Sequence, residues 1–69
     1  MKIIVNNKML ERFLEIMEAN DEFVFGSKKE IKKQLEICLN RQGYWSGCDI
    51  RVYYNKYTKD FTTQRRFLS

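Results

Sequence analysis

Arg51, Tyr53, Lys56, Arg65 and Arg66 share one C-terminal stretch with Tyr54, Tyr57 and Lys59. Cations interleaved with aromatic rings suit the binding of polyanions. Lysine and arginine neutralise phosphates and release counterions, and exposed rings stack on unpaired bases. A second basic cluster, Lys28, Lys29, Lys32 and Lys33, lies upstream. It opens a helix, the end at which the helix dipole favours acids. These lysines form either a solvated face or an anion contact. The candidate binding set is Lys28, Lys29, Lys32, Arg51, Tyr53, Lys56, Arg65 and Arg66.

Catalytic chemistry is poorly provided for. The chain has no His, which removes the commonest general base, the Ser–His and Cys–His pairs and the usual zinc sets. Cys38 and Cys48 lie outside any C-x-x-C pair, and Cys38 falls on an apolar stripe where a free thiol acts as a small hydrophobe. Both read as structural. Glu11, Glu15 and Glu18 form one helical ridge, but a Ca²⁺ or Mg²⁺ site needs further carbonyl or loop oxygens. The ridge reads as a solvated acidic face or as a partner of the second helix's lysines. Phe25-Gly26-Ser27-Lys28-Lys29 opens a helix without P-loop spacing. The expectation is a protein that is not an enzyme, with no cofactor and no metal.

The elements that must position the basic residues are two helices and a hairpin. Leu10, Phe13, Leu14 and Met17 recur at helical spacing after Asn6-Asn7, which predicts a first helix over 8–19. Ser27 and Glu30 fit a capping box. Ile31, Leu35, Cys38 and Leu39 continue a stripe, and Gly43 suits the left-handed residue that ends a helix. The second helix is expected over 27–42, with Ile37 off its stripe. Gly43 to Cys48 is an aromatic turn in which Trp45 is expected to pack on the core and Tyr44 either caps the core or forms a stacking platform. Residues 49–56 and 61–68 alternate at the β period.

Two hairpin registers suit that alternation. One pairs Ile50 with Phe67 and Arg51 with Arg66, and has the better apolar face despite opposed like charges. The other pairs Ile50 with Leu68. A further short strand is expected at Lys2–Val5 or Glu22–Phe25, and Phe23 and Phe25 are expected in the core. The fold class is α+β: two amphipathic helices packed on a small antiparallel sheet built around a C-terminal β-hairpin, one domain over residues 1–69.

At 69 residues the chain lies near the lower limit for an independent core. A homodimer is one way to supply more burial. The formal charge is +4, and it is unevenly spread: the first 26 residues are net acidic and the remainder basic. That asymmetry points to a nucleic acid or an acidic protein surface as partner. The apolar run Ile3-Ile4-Val5 is too short to span or target a membrane, and two cysteines make no secreted framework, so a cytoplasmic location is expected. Lys, Asn, Ile, Phe and Tyr, which have AT-rich codons, make 28 of the 69 residues, a bias that suggests an AT-rich bacterial or phage genome. The functional expectation is a small basic binding module that takes nucleic acid, single-stranded or RNA, through the hairpin. The alternative is a phage- or mobile-element-type inhibitor or antitoxin that binds a host protein through the same basic aromatic surface.

Overall fold

Asn6 starts the first helix by accepting a hydrogen bond from the Met9 amide at 2.8 Å. In the computed structural model, which describes residues 2–65, the elements in chain order are α1 (Asn7–Ala19), α2 (Lys28–Gln42), β1 (Tyr44–Ser46), β2 (Ile50–Asn55) and β3 (Asp60–Arg65). The α+β class is as expected. Both bonds of the Ser27–Glu30 capping box are present, a device whose cap contributes about 1 kcal/mol. Gly43 ends α2 in the left-handed conformation with φ 88°. A Cβ there would be strained by φ alone.

The third strand is β1, not a segment near Ile3 or Val24. Gly47 allows the return: its N–H donates to Ile50 O at 2.8 Å. A Cβ on it would stand 3.0 Å from both Glu22 Oε1 and the Trp45 ring. The sheet runs β1-β2-β3, antiparallel throughout. Residues 2–5 are not a strand. They lie along α2, where the Ile3 amide donates to Asn40 Oδ1 at 2.7 Å and Asn40 Nδ2 donates to Ile3 O at 2.8 Å. The Val5 amide donates to Glu36 Oε1 at 2.8 Å. Two side chains one turn apart on a helix thus satisfy backbone that would otherwise need a sheet edge.

The hairpin register differs from both expected ones. Tyr54 pairs with Phe61, Arg51 with Gln64 and Ile50 with Arg65. Asn55 sets it. Its Oδ1 accepts from the Tyr57 and Thr58 amides at 2.9 and 3.3 Å, an Asx turn, and Lys59 closes the loop at φ 57°. Relative to the preferred register, pairing is displaced by two positions. The apolar residues therefore keep their face while every cross-strand partner changes. Arg66, Phe67 and Leu68, on which the expected pairings relied, lie outside the described residues.

The helices cover one sheet face. Phe13 is fully buried, with its ring edge-to-face to Trp45 at 5.0 Å and to Phe61 at 5.9 Å. Leu35, Leu39, Ile50 and Val52 close around this cluster, and Trp45 packs on it as expected. Ile37 is exposed. Phe23 and Phe25 are exposed too, contrary to expectation. In the extended run only Val24 packs against the core, and period-2 alternation sends both neighbours outward.

An ion pair ties α1 to β3. Arg12 Nε donates to Asp60 Oδ1 at 2.9 Å, and Arg12 also pairs with Glu15. The Arg12 hydrogen bond, helped by the Phe61 N–H, holds the Asp60 carboxyl below the usual carboxylate range. A carboxylate depressed in the folded state stabilises above its unfolded pKa, and the contribution is lost as pH falls through the folded value. Asp60→Asn is expected to flatten the acid side of the stability profile, which urea unfolding at a series of pH values measures. An unchanged acid limb would show the pair to be energetically idle, as many exposed pairs are.

Candidate nucleic-acid interface

The strand pairing lines up two rows on the sheet face turned away from the helices. One is Tyr44–Tyr53–Thr62, the other Ser46–Arg51–Gln64. The alternate positions, Trp45, Val52 and Phe61, are taken by the core, so the pleat itself directs these rows outward. The Tyr44 and Tyr53 ring centroids are 5.5 Å apart. The Arg51 guanidinium carbon stands 4.8 Å from the centroid of Tyr44, within cation–π range. Tyr53 OH donates to Gln64 Oε1 at 3.3 Å, which spans the two strands of the hairpin.

Arg51 is half-buried but forms no ion pair among the described residues. Its Nε is covered and has no hydrogen-bond partner there. The displaced register matters here. Arg51 faces neutral Gln64, which removes the like-charge opposition expected with Arg66.

The eight sequence-predicted residues do not form one surface. Arg51 and Tyr53 sit together on the outer sheet face. Lys56 is in the β2–β3 loop, with Nζ 5.8 Å from the ring centroid of Tyr57, which is 87% exposed. Arg65, at the far end of β3, donates to Asn20 O at 3.3 Å at the end of α1. The lysines belong to the helical layer. Lys28 Nζ pairs with Glu11 Oε1 at 3.0 Å, and Lys32 Nζ donates to Asn7 Oδ1 at 3.1 Å. With Lys29 they line a shallow depression between the helices. Part of the acidic ridge of α1 therefore answers the lysines of α2, the internal alternative. Arg66 lies outside the described residues.

Thr62 and Gln64 join the site without having been in the expected set, and Tyr44, for which a core cap and a stacking platform were both open, stands beside Tyr53 on the outer face. The signal for Tyr44 was present in the glycines that flank it, Gly43 and Gly47, which bracket a strand short enough to read as a turn. Cys38 is half-buried and Cys48 exposed, both as free thiols. Among the described residues no group of His, Cys, Asp or Glu could hold a metal ion, and no helix is long and apolar enough to cross a membrane. Set against known proteins, the chain matches no family model, no curated sequence and no solved structure.

Proposed function

We propose that this chain is a small, basic, non-enzymatic binding module that takes single-stranded nucleic acid, RNA above all, on the outer face of its sheet. The observation that carries the reading is the Tyr44–Arg51–Tyr53 group: two adjacent rings and an arginine without an acidic partner among the described residues, on a face the helices leave open. Sheet platforms of this type stack unpaired bases on aromatic rings. Arginine adds planar stacking and a donor fork matched to phosphate. Of the loop residues, Lys56 and Tyr57 line one open depression with Tyr53 and Thr62, which lengthens the platform at that end. A cytoplasmic location goes with this partner.

Fluorescence anisotropy with labelled single-stranded RNA and DNA tests the reading. Binding is expected to weaken steeply with salt. With about three phosphates engaged, log K should fall with log salt at a slope of about −2. No binding to either strand type at low salt would overturn it. Recovery of one stoichiometric, nuclease-resistant host protein on the same Arg51–Tyr53 surface would then move the reading to an inhibitor or antitoxin that occupies an acidic groove.

A further inference from the structure

The connection between α1 and α2 carries a second surface of different chemistry. Phe23 and Phe25 are 84% and 85% exposed, with their rings stacked at 5.7 Å and 24° between planes. Single exposed apolar residues are ordinary, but two large rings together form a patch, and such patches mark interaction sites. A groove of about 570 Å³ opens beside Phe23. Leu14, Met17 and Val24 supply its apolar lining, and Glu18, Asp21 and Glu22 its charge. Among the described residues no lysine or arginine lines it. None of the three carboxylates forms an ion pair among the described residues, and Arg65 nearby donates to Asn20 rather than to an acid.

We propose that this patch docks a basic amphipathic helix of another protein. Its apolar side chains would lie against Phe23, Phe25 and the groove, and its lysines or arginines against the three carboxylates. Helix-in-groove recognition uses this combination of apolar anchors and polar flanks. Charge selects the occupant. A two-fold dimer through the patch lays the same acidic surface on both sides of the interface, and like-charge juxtaposition disfavours association. Nucleic acid is repelled for the same reason. The patch lies on the helix connection and not on the Tyr44–Tyr53 face, so it stands or falls independently of the nucleic-acid reading.

The test titrates the full chain with a synthetic Leu/Lys amphipathic helix and with its Leu/Glu counterpart, and follows backbone amide shifts. Saturable shifts centred on residues 14–25 are expected with the Leu/Lys peptide alone. Phe23→Ser/Phe25→Ser and Glu18→Lys/Asp21→Lys should each weaken it about tenfold or more, the size of a hot-spot loss. Both variants should melt as the parent does and bind oligonucleotide no less tightly. Equal binding of the Leu/Glu peptide, shifts centred elsewhere, or a Phe23→Ser/Phe25→Ser variant with parental affinity would overturn the proposal. So would a dimer seen in sedimentation that these two substitutions dissolve, since the patch would then belong to a second copy.

Discussion

Phe13→Ala is expected to remove much of the stability of the folded chain. The side chain has no solvent exposure and bridges the layers, touching Trp45 of β1 and Phe61 of β3 from the middle of α1. Truncating a buried phenylalanine costs about 3–5 kcal/mol, through lost transfer energy and the cavity left behind. Domains have on the order of 0.05–0.15 kcal/mol of stability per residue, so a chain of 69 residues has about 3–10 kcal/mol in all, and the truncation takes a large share of it. The layer cannot collapse onto the gap easily, because two of the walls are aromatic rings carried on different strands. Urea unfolding followed by circular dichroism measures the effect. A loss under about 1 kcal/mol would show that the two rings do not depend on Phe13, and the core described above would be wrong at its centre. Phe13→Leu, which retains most of the volume, should lose far less.

Arg51→Glu is expected to lower oligonucleotide affinity at least about tenfold while leaving the fold intact. A charge-assisted hydrogen bond is worth about 1.5–3 kcal/mol, and each 1.4 kcal/mol is a factor of ten. Reversal adds repulsion to that loss. The salt slope should become shallower by about 0.7 for each phosphate contact removed. Arg51→Lys retains the charge but not the planar group over Tyr44, so it should restore only part of the affinity. Lys29→Glu is the informative control. It makes the same change in net charge within the helical layer, so a comparable loss there would mean that overall charge, and not the sheet face, drives binding. Circular dichroism separates either outcome from unfolding, because Arg51 pairs with Gln64 and Ser46 on a face outside the core.

Some of the candidate site could be read from the chain alone, and some could not. Arg51 and Tyr53 share a face because residues two apart in a strand always do, and no tertiary information is needed for that. Tyr44 beside them depends on β1 pairing with β2, a contact set by Gly47 and its fit against Glu22 and Trp45. Charge alone groups Lys28 and Lys32 with the hairpin, yet they answer Glu11 and Asn7 on α1. Charge in a sequence has a sign but no position, and opposite signs on neighbouring helices meet each other first.

What the chain determined by itself was local: the Asn6 and Ser27 caps, the left-handed stop at Gly43, both helical stripes and the alternation of the hairpin. Each depends on atoms within a few residues of one another, so type and spacing suffice. What only the tertiary structure decided was partnership. The hairpin register moved by two positions because a two-residue displacement leaves the apolar pattern unchanged, and the Asx turn at Asn55 chose between them. Phe23 and Phe25 went outward because Val24 took the inward position of their run. The N-terminal segment settled on α2 because Glu36 and Asn40, distant in sequence, offered the hydrogen bonds a strand would otherwise have found at a sheet edge.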